Sequence, residues 1–359
     1  MDIVYMVILG VAALVAIAIV PVFVLRYRRF LVQRRLKDLN ANLWDQEAID
    51  YFLRLFGSGG SKKVSGKESM TDAIEEEFFR IHNLQNYLVP LAFLSAVSAA
   101  VVITIALWTA VALGQAQGVN IMTPVIMSLS GAYVWALYEI LTRIQSQDLA
   151  PLDLTELTLR LLAAIPIGYA FSLLALDGKE GLFAFIAAAF PLRDIRLFLR
   201  QRAMKKLELE GRASESRALE GHLGRILDGL SDATLARLEE LGIITYMDLA
   251  YTNPVRLMAR TGFSLRHILA WIDQALLAVY APSLKVRMAQ LGVPCALDAC
   301  EFYEAHCWDP AASSPRNWAS DPAVQAFAIG LKIDPVLLVE ILREVYVDPH
   351  VKFLKAIWY

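Results

Sequence analysis

Four stretches of the chain are almost free of charged side chains, and they restrict its fold more than any other feature. They cover residues 1–25, 87–113, 121–142 and 160–192. A helix needs about 20 apolar residues to cross the hydrocarbon core of a bilayer. Charged residues make up 19% of the chain, against roughly 25% in soluble proteins. The pattern predicts an all-α, polytopic membrane helix bundle.

The positions of basic residues predict the orientation of these helices. Residues 3–25 form the first span, and the second and third lie at 87–113 and 121–142. Residues 160–176 and 182–192 form either a hairpin of two spans or a re-entrant pair, and we expect five spans in all. Lys and Arg accumulate on the cytoplasmic side, so the basic residues after residue 25 place the N-terminus outside the inner membrane and the C-terminus in the cytoplasm. The arginines expected to contact anionic lipid are Arg26, Arg28, Arg29, Arg34, Arg35, Arg196, Arg200 and Arg202.

Two soluble regions are expected on the cytoplasmic side. In the first, 26–86, apolar residues recur at helical spacing over 42–56, and this amphipathic helix lies on the membrane or packs against the C-terminal domain. A Gly/Ser linker follows, in which Gly66-Lys67 lacks the other residues of a phosphate-binding loop. The predicted segments are an anchor (1–25), a cytoplasmic segment (26–86), the transmembrane bundle (87–192), a basic connector (193–230) and a helical domain (231–359).

The helical domain contains an internal repeat. Leu238-Glu-Glu-Leu-Gly-Ile243 before Asp248-Leu-Ala250 matches Met288-Ala-Gln-Leu-Gly-Val293 before Asp298-Ala-Cys300, at an offset of 50 residues. Self-similarity at a fixed period is typical of repeated supersecondary units. Ser231, Asn253, Asp321, Asp334 and Asp348 stand where helix N-caps are expected, four of them before a proline.

This arrangement of short helices joined by glycine turns resembles the helix-hairpin-helix and SAM-like superfamily over about 120 residues. In that superfamily, nucleic-acid-binding members hold phosphate with a Gly-apolar-Gly hairpin, whereas Thr261-Gly-Phe-Ser264 and Ile329-Gly-Leu-Lys332 keep one glycine each. Residues 207–359 hold 14 basic and 19 acidic residues, and a net charge of −5 opposes binding to phosphates. The resemblance therefore implies protein contact or self-association, and we expect no nucleic-acid partner.

Polar residues inside the predicted spans are few. Glu139 lies one helical turn before Arg143, so it either forms an interfacial salt bridge or lines a polar pathway. The residues that would line such a pore or intramembrane polar path are Ser128, Ser130, Tyr133 and Glu139.

The sequence predicts neither an enzyme nor a bound cofactor or metal. Cys295, Cys300, His306 and Cys307 lack the close ligand pairs of structural zinc sites, and we expect the cysteines to be reduced thiols in a core. No paired carboxylates, histidine cluster or nucleophile elbow accompanies them.

Membrane lipids, further copies of the chain and a cytoplasmic protein are the expected partners. The sequence favours an oligomeric structural or scaffolding subunit whose cytoplasmic repeats mediate self-assembly or partner docking. The alternative is an oligomeric ion channel or membrane-perturbing effector that the cytoplasmic domain gates.

Overall fold

The computed structural model describes residues 18–35, 37, 46–56, 78–114, 122–173, 179–189, 223–227, 229–309 and 314–358. These residues form two compact units. The membrane unit comprises Met1–Leu36, Phe78–Leu209 and Ala259–Gly262, and the helical unit comprises Lys37–Glu77, Glu210–Met258 and Phe263–Tyr359. The described residues are helical, apart from loops and a pair of two-residue antiparallel strands, Trp308–Asp309 and Ser314–Pro315.

The membrane unit is a bundle of apolar helices. Three segments in its described part are long and apolar enough to cross a membrane: Phe78–Ile103, Thr123–Gln145 and Pro151–Ser172. The helices are α1 (residues 18–35), α3 (Leu84–Gly114), α4 (Met122–Gln145), α5 (Pro151–Ser172) and α6 (Glu180–Ala189).

Three of the predicted spans differ from these helices. Residues 1–17 of the first predicted span lie outside the described residues, and α1 continues as a helix to residue 35. Of the apolar run at 160–176, residues 160–172 belong to α5, which begins nine residues earlier, at Pro151, and residues 174–176 lie outside the described residues. Of the run at 182–192, residues 182–189 belong to α6, which is described over 10 residues, about 15 Å of helix, and residues 190–192 lie outside the described residues.

Small residues let α4, α5 and α6 approach closely. A Cβ atom added to Gly131 of α4 would lie 2.3 Å from the carbonyl oxygen of Phe185 in α6. A Cβ atom added to Gly168 of α5 would lie 2.5 Å from the Cα atom of Val125 in α4. Four alanines of α4 and α6 are also buried, namely Ala132, Ala136, Ala184 and Ala188. Close helix packing of this kind is typical of membrane bundles.

The helical unit consists of short, well-capped helices. Of the predicted caps, Ser231 accepts from the amide of Thr234, Asp321 from Ala323 and Asp334 from Val336. The helices are α2 (Gln46–Phe56), α7 (Leu223–Ile226), α8 (Asp232–Glu240), α9 (Tyr246–Ala250), α10 (Pro254–Arg260), α11 (Leu265–Tyr280), α12 (Lys285–Gln290), α13 (Ala296–His306), α14 (Pro322–Leu331), α15 (Pro335–Val347) and α16 (Pro349–Trp358). Most of α11 is buried, so it forms the centre of the unit.

The amphipathic helix α2 packs against the C-terminal helix α16. Phe52 is buried, and its ring centroid lies 6.1 Å from that of Phe353. Phe56 contacts Phe353 and His350 edge to face. Of the two interpretations of this helix, the structure supports packing against the C-terminal domain.

Candidate functional site

The membrane unit contains a charged cleft of about 350 Å³ between the end of α4 and the start of α5. Five charged side chains and one tryptophan form its polar part, and Leu157, Leu159 and Ala163 complete its walls. The polar lining is Trp135, Glu139, Arg143, Asp153, Glu156 and Arg160. With three carboxylates and two guanidinium groups, the lining carries a net charge of −1.

Arg143 joins the two helices at the end nearest their connecting loop. Its Nε lies 2.6 Å from Oε1 of Glu139, one turn earlier on α4. Its second contact is with Asp153 of α5, whose Oδ1 lies 3.3 Å away. The other oxygen of Asp153 accepts a 2.7 Å hydrogen bond from the amide of Ala150. This last contact caps α5, because the first amides of a helix have no partner within the helix.

Arg160 forms the other end of the cleft. Its guanidinium carbon lies 3.6 Å from the ring centroid of Trp135, within the range of cation–π attraction. The same group donates a 3.1 Å hydrogen bond to the carbonyl of Ala188. Because the last carbonyls of a helix lack partners and attract cations, Arg160 stabilises the end of the short helix α6.

The predicted polar residues of α4 occupy different places. The hydroxyl of Ser128 is buried and donates to the Ala164 carbonyl of α5 at 2.7 Å. Ser130 donates to the Ile126 carbonyl within its own helix. Tyr133 packs against the apolar core of the bundle, and Glu139 alone of the four lines the cleft. The Ser128 hydroxyl therefore joins α4 to α5, and the Ser130 hydroxyl bonds within α4.

Sequence reasoning missed Asp153, Glu156 and Arg160. Their spacing of three and four residues places them on one side of α5. Charged residues at helical spacing in an otherwise apolar segment were the sequence signal for this side of the helix. This signal was missed because the predicted span begins at residue 160, which leaves Asp153 and Glu156 outside it.

Three of the arginines predicted to contact lipid bind protein groups. Arg28 donates to the His82 carbonyl at 2.9 Å, and Arg34 donates to Gln147 at 2.7 Å. Arg35 is buried and donates to the Thr261 carbonyl at 3.0 Å. Arg26 and Arg29 are exposed, while Arg196, Arg200 and Arg202 lie outside the described residues.

In the hairpin at residues 261–262, Thr261 is buried within the membrane unit and Gly262 is half-buried. Besides the contact of Thr261 with Arg35, a Cβ atom added to Gly262 would lie 2.9 Å from the Ser146 carbonyl oxygen. Phosphate-binding hairpins present exposed backbone amides to their ligand. This hairpin is instead covered by protein.

The cysteines of the helical unit make separate contacts. Burial raises the pKa of Cys300 to about 12 and that of Cys307 to about 11. The Cys295 thiol donates to Oδ2 of Asp298 at 2.8 Å, whereas His306 contacts Asp321. Thiols with raised pKa values are poor nucleophiles at neutral pH.

The comparisons with known proteins give no relative: no family model, curated protein or solved structure matches the chain.

Proposed function

We propose that the protein is a multi-span inner-membrane protein that acts as an oligomeric structural subunit. In this proposal the chain crosses the membrane five times, with its N-terminus outside. The helical unit lies in the cytoplasm, where it is a tandem repeat that assembles with further copies of the chain. The proposal depends on one observation, a face that is buried in the first repeat and exposed in the second.

Matching turns support the division into two repeats. Gly242 follows α8 with φ of +81°, and Gly292 follows α12 with φ of +91°, a region that favours glycine. The following apolar residue is buried in both turns. The shared hydrogen bonds, at the same offset of 50 residues, are Ile243 N to Leu238 O and Val293 N to Met288 O, each 2.9 Å.

The long helices of the two repeats differ in exposure. Their N-caps, Ser264 for α11 and Asp334 for α15, set an offset of 70 residues. Asp273 and Leu277 of α11 are buried, while the equivalent Arg343 and Val347 of α15 are 58% and 52% exposed. A face that is covered in the first repeat is therefore open in the second.

The opposite end of the repeat pair shows the reverse pattern. Leu297 at the start of α13 is buried, and its amide donates to Oδ1 of Asp273 at 3.0 Å. Its equivalent in the first repeat, Met247 of α9, is 52% exposed. The start of α9 in the first repeat is therefore exposed, whereas the equivalent start of α13 in the second repeat is buried and contacts α11.

These two open faces are complementary to each other. The contact between α11 and α13 within one chain provides the template for a contact between α15 of one copy and α9 of the next. In that contact Arg343 would approach Asp248, so the charges attract. Stacking of repeats buries faces that terminal repeats expose, and the occupant we propose for both faces is a second copy.

The test measures the mass of the full-length protein in mild detergent by light scattering. The wild-type protein is expected to be an oligomer, and Val347→Asp or Met247→Asp is expected to reduce it to a monomer, because each places a charge in an apolar contact. Ile329→Asp is the control, since Ile329 is 75% exposed but lies on neither face. An unchanged mass for Val347→Asp would contradict the proposal.

The channel alternative has less support. The Ser128 hydroxyl is bound to a backbone carbonyl, and large apolar side chains fill the described core of the bundle. Ion flux through liposomes that is lost in Glu139→Ala would reverse this preference.

A further inference from the structure

We infer that the exposed face of α1 binds one anionic phospholipid, whose phosphate is held by Arg26 and Arg29. The sequence predicts lipid contact for eight arginines, and the structure distinguishes these two from the three other arginines of α1 by their availability. The inference rests on the proposed membrane placement but not on the proposed assembly, because both residues belong to the membrane unit.

The guanidinium groups of Arg26 and Arg29 are available to a ligand. Both residues are exposed, and within the described part of the chain neither side chain takes part in a hydrogen bond or an ion pair. The three other arginines of α1 donate to protein groups. Because α1 contains no acidic residue, no carboxylate of the same helix neutralises the two free charges.

One face of α1 packs into the bundle, and the opposite face is open. Val24, Tyr27 and Leu31 are buried, at the spacing that places side chains on one side of a helix. Arg26 and Arg29 lie on the other side, three residues apart, so their Cβ atoms are about 5–6 Å from each other. At this separation both guanidinium groups can donate to the oxygens of one phosphate.

A contact of α1 with the bundle places the two arginines at the level of a lipid headgroup. The hydroxyl of Tyr27 accepts a 3.3 Å hydrogen bond from the amide of Leu149, which belongs to the loop between the candidate spans α4 and α5. A loop between two spans lies outside the hydrocarbon core. Arg26 and Arg29 are within two residues of Tyr27, so both lie within about 3 Å of this level along the helix axis.

The polarity of the open face changes along α1 as it does along a phospholipid. On the N-terminal side of Arg26, the side chains of Ile19, Val22 and Phe23 are exposed. They cover about 10 Å of the helix axis, in the direction that leads from the loop into the bundle. A phosphate held by Arg26 and Arg29 would therefore direct its acyl chains along these apolar residues.

The two free charges select an anionic headgroup. A zwitterionic headgroup carries a cation beside its phosphate, and unpaired guanidinium groups repel that cation. A free phosphate ion would make the same contacts with Arg26 and Arg29, but it would gain nothing from the exposed apolar residues. A phospholipid with one net negative charge uses both parts of the face.

The experiment titrates delipidated full-length protein in mild detergent with phosphatidylglycerol or phosphatidylcholine of identical acyl chains, and it counts bound lipids by native mass spectrometry. We expect one phosphatidylglycerol per chain to bind about 30-fold more tightly than phosphatidylcholine, because each basic residue beside an anionic lipid contributes about 1 kcal/mol, which is about fivefold. The double substitution Arg26→Gln and Arg29→Gln is expected to remove this preference. Arg34→Gln is the matched control and retains the preference, because the guanidinium of Arg34 is bound to Gln147.

Four results would overturn the inference: equal binding of the two lipids, a preference that survives the double substitution, an equal loss of preference in Arg34→Gln, or displacement of the bound lipid by excess inorganic phosphate. Because Arg26 and Arg29 are exposed, their substitution is expected to leave the fold intact, and an unchanged thermal unfolding curve verifies this. The same spectra report the oligomeric mass, so a failure of assembly is read separately. Recovery of the chain in solution without detergent would contradict the membrane placement, and this inference with it.

Discussion

The buried carboxylate of Asp273 joins α11 to α13, and its effect on the stability of the helical unit depends on pH. Burial raises its pKa to about 6, against the opposing effect of the hydrogen bonds from Cys295 and the Leu297 amide. The folded state therefore binds a proton more tightly than the unfolded state does. The stability that Asp273 contributes is fully present below its unfolded pKa near 4 and is lost as the pH rises through 6.

Asp273→Asn is expected to remove this pH dependence. The amide oxygen of asparagine still accepts from Leu297, but it carries no charge to desolvate. The wild-type helical unit should lose about 3 kcal/mol of stability between pH 4 and pH 7, and the variant should not lose this part. Hydrogen exchange of the amides in Ala296–His306, measured on the full-length protein at both pH values, checks this. Equal pH sensitivity in wild type and variant would exclude Asp273 as the source.

The helices of the membrane unit differ in how much of them the sequence could predict. The second and third spans were predictable because each is a long apolar run, and the N-caps were predictable because their side chains bond locally. The start of α5 was not found, because charged residues interrupt its apolar pattern, and two of them, Asp153 and Arg160, contact Arg143 of α4 and the Ala188 carbonyl of α6. The cleft follows from contacts between helices, so spacing could indicate only its separate parts: the bond of Glu139 to Arg143, and the charged side of α5 that Asp153, Glu156 and Arg160 share.

Gly131 offers a direct test of the packing of α4 on α6. A methyl group at this position would lie 2.3 Å from a backbone oxygen, which cannot move without displacing the helix. Gly131→Ala is expected to destabilise the membrane unit by about 1–3 kcal/mol, the usual cost of overpacking. Thermal unfolding in detergent measures the effect.

Gly181→Ala is the matched control for this substitution. The added methyl group would meet side chains rather than backbone, Met127 at 3.3 Å and Thr123 at 3.7 Å, and methionine adapts readily. A small effect at position 181 with a large one at position 131 supports close backbone approach. Equal effects at both positions would argue against it.

At the scale of the whole molecule, the proposed contact between two different faces is a head-to-tail contact. Such heterologous contacts form rings or open filaments. The Val347→Asp chain keeps its Met247 face, and the Met247→Asp chain keeps its Val347 face. A mixture of the two is expected to form a one-to-one complex, although neither assembles alone.

Light scattering of the mixture in detergent, compared with each variant separately, tests this complementation. A contact that uses the same face on both copies would instead let one of the two variants assemble alone, since that variant keeps the face unchanged. The mass of the wild-type protein then gives the copy number if the assembly is a closed ring, whereas an open filament has no single mass.

The packing of Gln46–Phe56 on Pro349–Trp358 has a consequence for biosynthesis. Roughly 300 residues separate the two helices. Because translation proceeds at about 5–20 residues per second, the second helix is synthesised about 15–60 s after the first. During that time Phe52 and Phe56 lack the ring contacts that they make with Phe353 and His350 in the folded protein. Until translation ends, the apolar face that carries these two residues is open to other surfaces in the cell, such as a chaperone or the bilayer.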